Sequence, residues 1–212
     1  MRQSTECRVH KRGSSGTRGF IIRIFLCFKR RGPWLSRVEL KEAIASGQLC
    51  IEGLKEESIQ PASIDLHLGD EFIVVRWNKP DFALDPYSEK DMSMAFGKPL
   101  STDGAPWFRL EPGEFVLAAT ERVTLGNELV AQVAGKSSVA RFGIMIESAG
   151  FIDPGVDGCI TLEIYNQMPF SILLTPGMPI AQLAVTRLDT PADITYAGKY
   201  NGSVGPVASR YW

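Results

Sequence analysis

The stretch "GCITLEIYN" (158–166) sets a carboxylate in the middle of an apolar run, and its reading decides the fold. Cys159 to Tyr165 are rich in β-branched and aromatic residues and contain no breaker, the composition of a strand. Side chains alternate along a strand, so Cys159, Thr161, Glu163 and Tyr165 share one face while Ile160, Leu162 and Ile164 share the other. A mid-strand Glu is ordinarily a carboxylate turned to water, because an uncompensated buried charge is costly. What surrounds Glu163 in the rest of the chain decides whether it is more than that.

The same period of two recurs on both sides of this stretch. "SIDLHLGDEFIVVRW" (63–77), "WFRLEPGEFVLAAT" (107–120), "LVAQVAG" (129–135), "GIMIES" (143–148), "SILLTPG" (171–177) and "IAQLAVTRL" (180–188) read as strands. "EPGE", "DPGVDG" and "TPGM" are turns, each with a Pro-Gly pair. One helix precedes them. Ser36 and Glu39 form a capping box, and Val38, Leu40 and Ile44 give a partly apolar face, so a helix is expected over about 36–46, ended at Gly47. Many short strands after a single early helix predict an all-β sandwich or barrel. The span 78–106, rich in Pro, Asp, Ser and Gly, reads as a long loop or insertion.

The 212 residues suffice for one domain with a real core, and 44% are hydrophobic. The formal net charge of −1 hides an asymmetry. Residues 1–33 hold nine Lys or Arg against the single acid Glu6, so they carry +8 and the rest of the chain −9. An acidic body argues against nucleic acid as a partner, and any phosphate site must be local. The basic start, residues 1–32, is read as a disordered or non-native extension, with an organellar transit peptide as the alternative, and the domain as residues 33–212. The apolar run "FIIRIFLCF" (20–28) is broken by Arg23 and far short of the roughly 20 residues a membrane span needs, so no membrane partner is expected. Cys7, Cys27, Cys50 and Cys159 form no close pair, which fits a reducing, cytoplasmic setting.

His10 and His67 have no partners at metal-ligand spacing and no Cys-x-x-Cys occurs, so no zinc is expected. His67, alternating with Leu66 and Leu68, reads as an ordinary strand histidine. The informative block is "GKSSVARFG" (135–143), a turn after a strand that offers two hydroxyls between Lys136 and Arg141. Such a turn can aim backbone N–H groups, Ser137, Ser138 and a cation at an anion. Asp153 and Glu163 follow closely, and acids, cations and hydroxyls on adjacent β segments suggest a polar site.

Five blocks in order, "QPASIDLHLG" (60–69), "GKSSVAR" (135–141), "IDPGVDGCITLEIYN" (152–166), "PGMPIAQL" (176–183) and "KYNGSVGPVASR" (199–210), resemble the dCTP deaminase branch of the trimeric dUTPase superfamily. The resemblance implies a distorted β-barrel or jelly-roll subunit in a homotrimer whose active sites are shared between neighbours. It implies zinc-independent deamination of dCTP to dUTP, with or without onward cleavage to dUMP, and Mg²⁺ bound through the triphosphate. On this resemblance Glu163 is the base that takes a proton from water attacking C4 of cytosine. Arg141 holds the site together, and Ser137 positions the water. Lys136, Ser137, Ser138, Tyr196 and Lys199 bind phosphates, the backbone near Ala149 contacts the nucleotide, and Asp153 lies near the sugar. Gln182 is expected to be structural.

Two features depart from the deaminase pattern. "IESAGFIDPG" lacks the usual His-x-Thr-Ala run and is one residue shorter, the loop length of a dUTPase; Ser203 stands where Gln is usual. A dUTP pyrophosphatase, with Asp153 as the base, is therefore the alternative, and a nucleotide-binding trimer without turnover is the third reading.

Overall fold

The computed structural model describes residues 34–75, 83–102, 104–147 and 150–211. The expected extension, residues 1–32, and Ala149 lie outside them. The first element, α1 (Arg37–Ala45), is the expected helix, started by the capping box: the Glu39 N–H donates to Ser36 Oγ at 3.5 Å and the Ser36 N–H to Glu39 Oε2 at 3.0 Å. Leu40 and Ala43 are fully buried, and Gly47, at φ +73°, turns the chain where a side chain would be strained.

Strands dominate the remainder. The six-stranded sheet runs in the order β4 (Leu100–Ser101), β3 (Glu71–Val74), β6 (Phe115–Leu125), β10 (Asp157–Asn166), β8 (Ile144–Glu147), with β1 (Leu49–Ile51) pairing farther along β6. The four-stranded sheet runs β2 (Ile64–His67), β12 (Pro179–Arg187), β7 (Leu129–Gly135), β9 (Phe151–Ile152), and β5 (Phe108–Leu110) pairs with β11 (Ile172–Leu174). Every pairing is antiparallel. A single apolar core joins Leu66 and Leu183 of the four-stranded sheet to Phe72, Leu162 and Ile164 of the six-stranded one, all 0% exposed. Burial of each such side chain is worth about 1.5–3 kcal/mol.

The structure corrects three expectations. The run 63–77 is not one strand, because the chain changes sheets at its middle. Leu68 gives its N–H to Met178 O at 3.0 Å, Gly69 gives its own to Ala119 O at 2.8 Å, and β2 and β3 belong to different sheets. Gly69 suits this corner, since a Cβ there would lie 3.0 Å from the Ala119 oxygen. Second, the 78–106 segment holds α2 (Glu89–Ala95), capped by Ser88 and seated by buried Met92 and Ala95, so α1 is not the sole helix. A further short helix, α3 (Ser137–Ala140), follows β7. Third, the strands form separate sheets, and among the described residues no continuous ladder closes them into a barrel. Corners where strands change sheets interrupt the ladder. No described helix is long and apolar enough to cross a membrane.

Candidate functional site

Strand β10 obeys its alternation. Leu162 and Ile164 are 0% exposed, whereas Thr161, Glu163 and Tyr165 on the opposite face are half-buried. Glu163 pairs with Leu117 of β6 on one side and Glu147 of β8 on the other. Its Oε2 has almost no access to solvent. Among the described residues, strand β8 accompanies β10 from Glu163 to Asn166. Below that point the C-terminal segment takes over the same strand. Cys159 gives its N–H to Ser203 O at 2.9 Å, Gly202 to Asp157 O at 2.7 Å, and Val207 to Thr161 Oγ1 at 3.1 Å. Ser203 Oγ also donates to Cys159 O at 2.9 Å. Glu163 thus lies where β8 ends and the C-terminal segment begins.

The "GKSSVAR" block forms α3, a single turn fixed by buried Val139. Ser137, Ser138 and Arg141 are exposed there, with Arg141 closing the turn through an N–H to Ser137 O at 3.1 Å. From α3 the chain passes through β8 and arrives at Glu147, opposite Glu163. Lys136 behaves differently from Arg141. Its Nζ lies 2.6 Å from Asp65 Oδ1 on β2, with only 20% and 11% of the two side chains exposed.

Asp153, exposed, opens the turn that leads into β10, and the Val156 N–H returns to Asp153 O at 3.3 Å. Gly155 sits at φ +82°, and a Cβ there would run into the Thr195 side chain. Tyr196 gives its N–H to Pro154 O at 2.8 Å, so the structure brings Tyr196 to the Asp153 turn. Lys199 is engaged elsewhere. Its Nζ donates to Arg210 O, Arg210 Nη1 donates to Lys199 O at 2.7 Å, and the Arg210 N–H goes to Tyr200 Oη at 2.9 Å, closing residues 199–210 into a loop.

Sequence reasoning missed the anchor of that loop. Arg122 grips Asp157 with two bonds, Nε to Oδ1 and Nη2 to Oδ2, both 2.7 Å, and Thr124 Oγ1 adds a third at 2.8 Å. These bonds, the Arg122 guanidinium first and Thr124 next, hold the Asp157 carboxyl below the ordinary carboxylate range and raise Arg122 in return. The Asp157 N–H then donates to Asn201 Oδ1 at 2.8 Å, tying the C-terminal loop to the pair. Beside it, burial pushes the Cys159 thiol up, opposed by Arg122. The only hint in the sequence was opposite charge on two neighbouring strands, and that becomes a pair only once the register is known. His67 is half-buried as a strand histidine, with Nδ1 2.6 Å from Glu121 Oε1.

This arrangement can do two things. A carboxylate with one oxygen shielded from water is suited to accept a proton. Exposed hydroxyls and a cation on a turn suit an anion such as phosphate.

Comparison with known proteins agrees with this chemistry. A family model described as dCTP deaminase-like matches residues 34–188. The chain is 41% identical over 186 residues, 84% of its length, to "dCTP deaminase, dUMP-forming" of Salinispora tropica, covering 94% of that protein. It is 41% identical over 185 residues, 83% of its length, to "dCTP deaminase" of Haloarcula marismortui, covering 93% of it. The crystal structure of 2'-deoxycytidine 5'-triphosphate deaminase from Agrobacterium tumefaciens superposes with a TM-score of 0.56 at 25% identity over 74% of this chain. The chain spans about half, 48%, of that solved chain. From the α1 cap to the end of β12, the chain belongs to the dCTP deaminase-like family.

Proposed function

We propose that this chain hydrolyses dCTP to dUTP and ammonia and carries the product on to dUMP and pyrophosphate. Glu163 carries the reading, a carboxylate in mid-strand with one oxygen secluded from solvent, at the junction of β8 and the C-terminal segment. In this reading water adds to C4 of cytosine while Glu163 takes its proton and passes it to the base. The C4–N bond then breaks, ammonia leaves, and the added oxygen becomes the carbonyl. Ser137 orients the water and Arg141 holds the pocket together. Lys136, Ser138, Tyr196 and Lys199 take the phosphates, and the backbone near Ala149 and the Asp153 turn contact the nucleoside. The second step rests on the names of some of the curated relatives, such as that of Salinispora tropica, which is dUMP-forming, whereas that of Haloarcula marismortui is a dCTP deaminase by name.

Exposed hydroxyls and cations suit phosphate oxygens, and among the described residues no three His, Cys, Asp or Glu gather as a metal site. Mg²⁺ is assigned to the triphosphate, as the family resemblance implies, where it neutralises part of the phosphate charge. The active unit is assigned as a cytoplasmic homotrimer with sites between neighbouring subunits. The test is purified protein with Mg²⁺, given dCTP or dUTP separately, with ammonia and pyrophosphate both followed. Ammonia from dCTP is expected. Pyrophosphate from dUTP with no ammonia from dCTP would replace the deaminase with a pyrophosphatase based on Asp153.

A further inference from the structure

Of the two cations in "GKSSVAR", Arg141 faces water and Lys136 turns inward. Asp65, its partner, stands two strands away. Strand β12 lies between β2 and β7, and Gln182 on it is level with Asp65 on one side and Ala134 on the other. Lys136 therefore reaches across β12. Asp65 is itself held, because Gln60 Nε2 donates to its other oxygen at 3.2 Å. Nearby on the same strand pair, Ser63 Oγ donates to Gln182 Oε1 at 3.4 Å. A lysine side chain left alone samples many rotamers, and its ammonium has three donors; the ion pair with Asp65 holds that ammonium by charge, without hydrogen-bond geometry at Asp65 Oδ1. The pairing thus fixes where the charge sits and leaves donors over.

We infer that Asp65 is a positioning residue of the phosphate site, holding Lys136 beside Ser137 and Ser138 for the anionic end of a nucleoside triphosphate. The inference rests on the deaminase reading above and adds a residue that touches no substrate. Its effect on the nucleotide is expected at the phosphates, since the cation it pairs is Lys136. Discrimination between dCTP and dCMP is therefore the quantity it sets.

The experiment is titration calorimetry with Mg–dCTP and with dCMP on wild type, D65N, K136Q and D65N/K136Q, each first checked by thermal unfolding. D65N is expected to weaken dCTP binding about tenfold, the size of one charge-assisted hydrogen bond, and to change dCMP binding by less than about twofold. D65E, which keeps the charge, should recover part of the loss, and D65N should cost nothing further on a K136Q background. Should D65N alone fail to fold, the double variant strands no charge and carries the comparison with K136Q. Equal loss of both nucleotides, no loss, or a gain in dCTP affinity would overturn the inference. So would a double variant weaker than K136Q. Wild type that binds dCTP no better than dCMP would overturn the phosphate site and Asp65's role with it, whereas ammonia release tests the deaminase reading separately.

Discussion

Cys159 gives its backbone N–H to Ser203 at 2.9 Å, and so the strand that carries Glu163 borrows part of its ladder from a segment more than forty positions on. That makes the Arg122–Asp157–Asn201 chain a control on the face that carries Glu163. Arg122→Ala should strand Asp157 and loosen the loop at a small cost in stability, because the pair is partly exposed. Trypsin should then cut at Lys199 or Arg210 several-fold faster, with a fall in ammonia release. Unchanged cleavage would mean the loop is held by its own clip.

The same pair sets a pH window. Asp157 titrates below its ordinary range of about 3.9, so its contribution is complete above that value and is lost as pH falls through the lower, folded value. The difference in unfolding free energy between wild type and Asp157→Asn should be constant from pH 5 to 7, about 1 kcal/mol or less, and shrink below about pH 4. A difference that widens on acidification would contradict the assignment.

Glu163→Gln keeps the shape of the side chain and removes the proposed base. Ammonia release should fall by about 10²-fold or more while dCTP still binds, read by single turnover and calorimetry side by side. Retained turnover would place the proton acceptor elsewhere.

Leu162, next to Glu163 and 0% exposed, belongs to the core face. Leu162→Ala should lower stability by about 2–5 kcal/mol in urea unfolding. Glu163→Gln should leave the unfolding midpoint near wild type, which separates the two faces of one strand.

Deletion of residues 1–32 is expected to leave Tm, molecular mass per particle and ammonia release unchanged. Aggregation of the shortened protein in light scattering would assign that segment to the domain.

Much of this was legible in the sequence, for local reasons. The α1 cap, β7 and the alternation of β10 depend on residues within a few positions of one another, and the sequence pattern located them closely. The division of 63–77 into β2 and β3 was not legible. Its cause is a contact of Gly69 with Ala119, fifty positions away, and periodicity carries no such information. Strand β9 is too short to show a period, and α2 was hidden by the polar composition of its surroundings. At the site, Glu163 stood out because a charge interrupts an apolar run. Lys136, Ser137, Ser138 and Arg141 stood out as a compact motif. Asp65 and Asp157 did not, because each takes its meaning from a cation on another strand.

The C-terminal loop has a consequence for how the molecule behaves in company. Between Asp157 and Cys159 it occupies backbone donors and acceptors that β8 leaves uncovered. An open strand edge of this kind is a template for the edge of another copy. A protein shortened before Lys199 would therefore lose solubility through sheet-to-sheet association, and its inactivity would measure sticking as much as chemistry. In this sense the loop guards the edge of the sheet as well as the face that carries Glu163.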